Sequence, residues 1–379
     1  MRLAINGRFY AAAVTGVQRF AREITQRLCA RTDVTLLLPR GTEPPPLPGP
    51  PRLVYGHLRG HAWEQIETPA LARSAGCDVT LHLSGTLPIG RGTHVAVLHD
   101  VLPLTNPEWF SWRFARWYRT VLRSAAPRAA AIITVSEWSR REIVRVLGVD
   151  AARVHTIVQG IGPFAAPADP ANVRAVRERF SLPDRFVLAL GAGDPRKNIP
   201  FLSDVLAAVE ERRGSSPPLV LVGASSRRIH GRGAGPRVDG HRLGRVSDAE
   251  LRALYTAAAV VCFPSLAEGF GRAPLEALSC GTPAIAATYA SAAETLADAA
   301  LLLPLDARRW AEALDSLMDD AGARAAQLAR SRPTLAAMSW DACAERVLEI
   351  CVAAAQCTAP TPRVGRAPVP RSRPSRTRA

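Results

Sequence analysis

The chain has 379 residues, of which 47% are hydrophobic and 21% are charged, and this composition excludes an intrinsically disordered protein. Its length suits two domains of roughly 150–190 residues each. The formal net charge of +15 would suit nucleic acid, anionic lipid or small anionic substrates, but no zinc knuckle, RNA-binding signature or helix-turn-helix pattern supports the first of these.

The N-terminus and the cysteines bear on the cellular compartment. Asn6, Gly7 and Arg8 stand where a signal peptide would need its apolar core. The seven Cys are odd in number and form no CxxC pair, so neither a disulfide framework nor a zinc site is expected. No apolar run reaches the roughly 18 residues that a membrane-spanning helix needs. We therefore expect a cytoplasmic protein.

Short apolar runs predict seven strands in the first part of the chain. They alternate with amphipathic helical patterns, such as the one over Gly16–Arg31. The Pro-rich run Pro39–Pro51 is predicted to be a loop, because proline cannot donate to a sheet ladder. The predicted strands are Leu3–Ile5, Val34–Leu38, Leu53–Tyr55, Val79–Leu83, Val95–Leu98, Ile132–Val135 and His155–Val158.

After a break over Phe164–Pro170 the alternation resumes with five more strands. Near-continuous apolar strands separated by helices are typical of parallel sheets covered on both faces. We therefore predict an α/β fold with two doubly wound, Rossmann-like domains, over residues 1–165 and 166–338. The further strands are Phe186–Leu190, Leu219–Val222, Val260–Phe263, Ala284–Ala286 and Leu301–Leu303.

The C-terminal tail has a different composition. Residues 358–379 contain six Arg, five Pro and no acidic residue. Such a segment cannot bury enough apolar surface to order itself, so residues 357–379 are predicted to be disordered.

The most informative motif is FPSLAEGFGRAPLEALSCGTPA, over Phe263–Ala284. A strand ends in a turn that holds Glu268 and Gly271, and a helix is predicted to start around Pro274. Free N–H groups at such a helix start form an anion site. Glu276 follows in the helix and is suited to accept hydrogen bonds from sugar or ribose hydroxyls. Each Glu alone also has a purely structural explanation, as a turn residue or as a partner of the helix dipole.

A second motif, FVLALGAGDPRKN, follows the predicted strand at Phe186. Arg196 stands where the dinucleotide fingerprint GxGxxG would require its third glycine, which makes a nicotinamide site weak. Adjacent Arg196 and Lys197 are suited instead to neutralise a diphosphate. Lys197 is the only Lys in the chain, and this favours a specific role for it over a surface charge. The chain contains no Asp-x-Asp pair for a metal–diphosphate complex.

Two further positions stand at the ends of predicted strands. His99 ends HVAVLHD, so the doubly wound topology places it at the cleft, although a lone His is more often structural. Gly16 begins the first helix, where it would permit close backbone approach or simply serve the helix start.

Together, the segments TGVQRFAREI, HDVLPL, VSEWSRREIVRVLGV, GAGDPRKN and EGFGRAPLEALSCGTPAIA resemble a bacterial family 4 glycosyltransferase of the GT-B fold. The resemblance covers roughly positions 1–356. It implies two Rossmann-like domains facing across a cleft, with a C-terminal helix over 339–356 that returns to the N-terminal domain. It also implies a retaining, metal-independent hexosyltransferase, mannosyltransferases included, with a nucleotide-sugar donor and no cofactor.

The resemblance implies a role for each matched residue. Glu276 would hold the ribose hydroxyls, and Val246 would lie near the nucleobase. Glu268 and His99 would contact the transferred sugar as the catalytic pair. Departures from the commoner pattern at Ala192, Asp194 and Arg272 leave the donor open. The residues that would bind the diphosphate are Gly16, Arg196, Lys197, Phe270, Gly271 and Arg272.

The aromatic segment WFSWRFARWY, over Trp109–Tyr118, predicts a membrane or acceptor surface. On a helix, Trp109 and Trp112 would lie beside Arg116 and Arg119, opposite an apolar face. Exposed Trp next to Arg suits a lipid headgroup interface. We expect peripheral binding to anionic membranes and a glycan or polyprenyl-diphosphate-linked acceptor. The alternative is that both Trp pack under a loop and the Arg face is only solvated.

Two other functions remain open from the residues. One is a non-catalytic nucleotide-sugar-binding protein of the same fold, which the intact Glu268, Glu276 and Lys197 disfavour. The other is a nicotinamide-dependent oxidoreductase, which the missing third glycine disfavours.

Overall fold

The computed structural model describes residues 1–191, 193–223, 227–230 and 238–358. Within these ranges the chain forms two parallel sheets covered by helices, which confirms the predicted α/β class. Ala192 and the predicted disordered tail beyond residue 358 lie outside the described residues.

The first sheet has seven parallel strands in the order β3-β2-β1-β4-β5-β6-β7. All seven were predicted, with ends that differ by at most two residues. The strands are β1 Leu3–Asn6, β2 Val34–Leu38, β3 Arg52–Tyr55, β4 Val79–His82, β5 His94–Val97, β6 Ala131–Thr134 and β7 Val154–Thr156.

The second sheet has six parallel strands in the order β10-β9-β8-β11-β12-β13. One of them, β10, was not predicted, because this edge strand is half exposed and its sequence HRLG lacks an apolar run. The strands are β8 Val187–Leu190, β9 Leu219–Val222, β10 His241–Gly244, β11 Val260–Phe263, β12 Ala284–Ala287 and β13 Leu301–Leu303.

The helices pack on both faces of each sheet, and α1 has the predicted bounds. A π-helical turn over Trp63–Glu67 joins α2 to α3. The helices are α1 Gly16–Arg31, α2 Gly60–Ala62, α3 Thr68–Ser74, α4 Leu102–Thr105, α5 Trp112–Ala125, α6 Glu137–Leu147, α7 Pro170–Arg179, α8 Phe201–Arg213, α9 Arg227–His230, α10 Asp248–Ala257, α11 Arg272–Ser279, α12 Ala292–Thr295, α13 Ala307–Asp319, α14 Ala321–Ala336 and α15 Trp340–Thr358.

The last helix, α15, follows the second domain in sequence but packs against the first. Its buried side chains Ala344, Val347 and Cys351 share one apolar core with Leu3 of β1 and Ile24 of α1. The N-terminal core is therefore completed by the C-terminal end of the described chain.

Each sheet reverses its strand order once, between β1 and β4 in the first and between β8 and β11 in the second. In open parallel sheets, ligands bind at the carboxyl ends of the strands beside such a reversal. The loops after β8 and β11 carry the GAGDPRKN and EGFGR motifs, so the topology brings both motifs to one place.

Of the helices within the described ranges, none combines the length and the apolar character that a membrane crossing requires.

Candidate functional site

Lys197 and Glu268 meet at the strand-order reversal of the second sheet. The Lys197 Nζ lies 2.5 Å from Glu268 Oε1 and 4.5 Å from the centre of the Phe263 ring. The two side chains are only 19% and 13% exposed. Gly191 directly follows β8 at φ +90°, and a Cβ there would lie 2.5 Å from Lys197 Cγ, so this glycine makes room for the lysine. The single lysine of the chain thus sits in the turn that the sequence singled out.

Two side-chain hydroxyl groups hold the backbone of the Glu268 turn in place. Ser291 Oγ donates to the Glu268 carbonyl at 2.7 Å, and Thr295 Oγ1 donates to the Phe270 carbonyl at 2.5 Å. Two side-chain hydrogen bonds to carbonyls two residues apart restrict how far this turn can move.

Arg196 is fixed by Asp194 rather than left free. Its Nε and Nη2 donate to the carboxylate at 3.0 and 2.6 Å, and its guanidinium lies 5.5 Å from the centre of the Phe110 ring. Burial alone would raise the pKa of Asp194, but the hydrogen bonds and charge of Arg196 hold that pKa below its ordinary value. Asp194 was noted in the sequence only as a departure from a pattern, and its role in orienting Arg196 was missed.

Helix α11 begins at Arg272, not around Pro274 as predicted. Pro274 is the third helical residue, still within the first turn, where a backbone N–H lacks an intrahelical partner. Gly271 caps the helix at φ +85°, and a Cβ there would collide with Tyr289 Oη. Because Phe270 and Gly271 precede the first turn, their N–H groups and that of Arg272 belong to the helix N-terminus, as the sequence indicated.

Glu276 lies in α11 and is only 4% exposed. Tyr255 Oη donates to its Oε2 at 3.0 Å, and Arg272 Nη2 lies 3.0 Å from its Oε1. The carboxylate is therefore held by a hydroxyl and a guanidinium of its own domain.

His99 stands in the loop that follows β5, beside the Glu268 turn. A Cβ on Gly269 would lie 2.5 Å from the His99 carbonyl oxygen, so the two domains touch here. The His99 Nε2 is buried without a hydrogen-bond partner, and its ring stands edge-on to Phe20 at 4.9 Å. Burial, and then the charge of Arg272, lowers the pKa of His99 to about 4. The imidazole is thus neutral at physiological pH.

Gly16 and Val246 flank the same region. Gly16 is the first residue of α1 and is exposed, and a Cβ there would meet nothing within 4 Å. Val246 is half-buried in the loop between β10 and α10. The sequence did not single out Arg19, three residues after Gly16, which forms ion pairs with Asp248 and Glu276 across the domains. Arg19 is part of the motif TGVQRF, but this motif gave no indication of its contacts with Asp248 and Glu276.

The prediction that Trp109 lies on the same helix as Trp112 is wrong. This residue lies in a separate 3₁₀ turn, Pro107–Trp109, and Ser111 is extended before α5 begins at Trp112, so the helical spacing from Trp109 is broken. Trp109 is half-buried and packs near Phe110. Trp112 is 68% exposed, and Arg116 and Arg119 are exposed on the same helix. On α5 the exposed basic aromatic face therefore contains Trp112, and Trp109 lies outside that helix.

Within the described part of the chain, no three His, Cys, Asp or Glu side chains come together as a set for a metal ion.

Comparison with known proteins identifies the two halves. The model of the family "Glycosyltransferase Family 4" matches residues 14–163, and that of "Glycosyl transferases group 1" matches residues 175–332. The chain is 31% identical over 269 residues to the O-antigen chain mannosyltransferase B of Escherichia coli, covering 67% of this chain and 68% of that protein. It is 28% identical over 267 residues to the E. coli serotype-specific mannosyltransferase WbdA, covering 67% of this chain but only 33% of that protein.

A solved structure of similar fold is that of Anabaena HepE in complex with UDP-glucose. Its TM-score is 0.66 at 19% identity, and the match covers 93% of this chain and 100% of that one. The structural neighbours are GT-B glycosyltransferases, which confirms the predicted GT-B fold.

Proposed function

The chain belongs to the family 4, group 1 glycosyltransferases, and from this premise we propose that it is a retaining hexosyltransferase that needs no metal ion. Its donor would be a nucleotide sugar of mannose or a similar hexose. Its acceptor would be a glycan or a lipid-linked saccharide in surface polysaccharide or glycolipid synthesis. The mannosyltransferase relatives support the choice of sugar.

The observation that carries this proposal is the Lys197–Glu268 pair at the strand-order reversal. A cation and a carboxylate 2.5 Å apart meet the two demands of sugar transfer from a diphosphate. Lys197 would meet the charge that develops on the leaving nucleoside diphosphate, and preorganised charge of this kind stabilises a transition state. Glu268 would accept hydrogen bonds from hydroxyls of the transferred sugar.

The remaining donor contacts follow from the positions of the other residues. Arg196, oriented by Asp194, would bind the diphosphate, with N–H groups of Gly16 and of Phe270 to Arg272. Glu276 would accept from the ribose hydroxyls, and Val246 would lie against the base. The unpartnered Nε2 of a neutral His99 would donate to or accept from a hydroxyl of the sugar, according to its tautomer.

Retention has two possible routes, a covalent carboxylate intermediate or front-face attack assisted by the leaving phosphate. A retaining glycosidase places two carboxylates across the bond that breaks. Here Glu276 is assigned to ribose, and Glu268 is paired with Lys197. We therefore favour the front-face route.

The test is a panel of nucleotide sugars offered to the purified protein together with a saccharide acceptor fraction, with release of nucleoside diphosphate and product mass as readouts. We expect turnover of one donor and a loss of at least 100-fold in Glu268→Gln, on the order of the loss of one transition-state contact. Glu349→Gln, at an exposed ion pair on α15, is the matched control. No turnover of any donor, or equal rates for Glu268→Gln and wild type, overturns the proposal.

We further propose that the face of α5 carrying Trp112, Arg116 and Arg119 binds anionic membranes peripherally. The Arg113 guanidinium lies 5.3 Å from the Trp112 ring, so a cation accompanies the exposed indole. Sedimentation with anionic vesicles at low salt should be weakened in Trp112→Ala but not in Leu305→Ala, which removes an exposed apolar residue of the other domain. Equal sedimentation of the Trp112 variant and wild type would contradict this surface.

A further inference from the structure

Arg19 is an N-terminal-domain residue that lies against Glu276, the proposed ribose ligand. Its Nε donates to Asp248 Oδ2 at 3.3 Å, and its Nη2 pairs with Asp248 Oδ1. Its guanidinium also lies 4.9 Å from the centre of the Phe164 ring. The side chain is only 13% exposed, so the contact is largely shielded from water.

We infer that Arg19 is a ribose ligand of the donor, which together with Glu276 holds one ribose hydroxyl from opposite sides. This inference rests on the proposed nucleotide-sugar donor. It adds a donor contact from the first domain that none of the sequence motifs assigned.

The distances around Glu276 support this assignment. Arg19 Nη1 lies 3.7 Å from Glu276 Oε1, an attractive ion pair but too long for a direct hydrogen bond. Arg272, by contrast, approaches the same oxygen to 3.0 Å. At this longer separation, the N–H groups of Arg19 Nη1 make no direct hydrogen bond to the Glu276 carboxylate and can donate to a ligand.

The hydrogen-bonding capacity of Glu276 leads to the same conclusion. A carboxylate has about four acceptor positions. Tyr255 donates to one on Oε2, and the Arg272 guanidinium is ion-paired with Oε1, so at least one position remains on each oxygen. Two neighbouring ribose hydroxyls would use these two positions. The hydroxyl on Oε1 would then donate to Glu276 and accept from Arg19 Nη1.

Arg19 is held in place for this role. Asp248 takes the Nε and Nη2 side of the guanidinium and leaves Nη1 directed at Glu276. Asp248 is itself the first residue of α10, whose N-terminus Ser247 and Glu250 fix by a capping box. Gly16 lies three residues before Arg19 on α1, so the two share one helical face. One turn of α1 thus contributes both Gly16 and Arg19.

The competing explanation is that Arg19 only holds the two domains together. The two roles differ in how affinity depends on the ribose. A domain contact affects every nucleotide equally, whereas a ribose ligand loses its effect when its hydroxyl is missing.

The experiment is calorimetric titration of wild type, Arg19→Gln and Arg19→Lys with UDP and GDP and with their 2′-deoxy and 3′-deoxy analogues. For the ribonucleotide that binds, we expect Arg19→Gln to weaken affinity roughly 10- to 100-fold, the loss typical of one charge-assisted hydrogen bond. For at least one deoxy analogue the variant and wild type should bind alike. Arg19→Lys keeps the charge and should lose less than Arg19→Gln.

Arg22→Gln is the matched control, since Arg22 lies on the same helix and faces the Tyr10 ring within its own domain. Thermal unfolding of each variant checks that it folds. Equal losses for the ribonucleotide and both deoxy analogues, or no loss at all, overturn the role of Arg19 while leaving the proposed function intact. Absence of any nucleotide binding by wild type overturns both.

Discussion

Replacing Lys197 with Ala should weaken binding of the nucleoside diphosphate much more than binding of the free nucleoside. The substitution removes a charge-assisted contact worth about 1.5–3 kcal/mol, which corresponds to roughly 10- to 150-fold in affinity. It also leaves Glu268, only 13% exposed, without its partner 2.5 Å away. The unpaired carboxylate would then repel the diphosphate and move the loss toward the upper end of this range.

That reasoning makes the double variant informative. Lys197→Ala/Glu268→Gln removes the unpaired charge, so it should bind the nucleoside diphosphate more tightly than Lys197→Ala alone. Lys197→Arg should also bind poorly, because Gly191 lies close against the Lys197 stem and a planar fork cannot take the place of a compact ammonium.

Calorimetric titration with the nucleoside and its diphosphate measures both affinities. Arg332→Ala removes one positive charge at an exposed position of α14 and serves as the control. If Lys197→Ala weakens both ligands by the same factor, the lysine does not contact phosphate and the reasoning is refuted.

Two predictions concern stability. Gly271→Ala should lower the free energy of unfolding by at least about 1–2 kcal/mol, because φ is +85° there and the new Cβ would collide with Tyr289 Oη. In thermal melts, adding Tyr289→Phe to this variant should restore part of the lost stability. The control Gly16→Ala should change the melting temperature little. Burial lowers the pKa of His99 to about 4. Between pH 6.5 and pH 4 the unfolded chain therefore binds a proton at His99 and the folded chain does not, so the free energy of unfolding decreases as the pH falls. Urea unfolding at pH 7 and pH 5 should show a smaller decline for His99→Asn than for wild type, whereas an identical decline would exclude burial of a neutral His99.

Much of the fold could be predicted because apolar strands in parallel sheets leave a clear pattern. Strands such as Val34–Leu38 and Leu219–Val222 have the predicted bounds, since both are buried throughout. The edge strand His241–Gly244 leaves no such pattern, because two of its four residues are exposed and none is fully buried. The order of the strands in each sheet also cannot be predicted from any local apolar run. This order determines which loops become neighbours.

The site was predictable where the chemistry is local and was missed where it depends on tertiary contact. Glu268 and Lys197 stand in motifs, and the structure places them side by side. Arg19 contacts Asp248 across 229 positions of sequence, which no spacing argument reaches. Trp109 was wrongly placed on the helix of Trp112 because helical spacing was extended across Ser111, where the backbone is not helical.

The return of α15 to the first domain constrains the order in which the molecule can be made. During synthesis the first sheet emerges early. Its face that packs against Ala344, Val347 and Cys351 stays uncovered until the 19 residues of α15 have left the ribosome. The second domain, whose last buried core residue is Leu317, can mature in the meantime. A nascent chain that stalls before Trp340 would expose an apolar sheet face, the kind of surface that aggregates or engages chaperones. The first domain to be translated is thus the last to be completed.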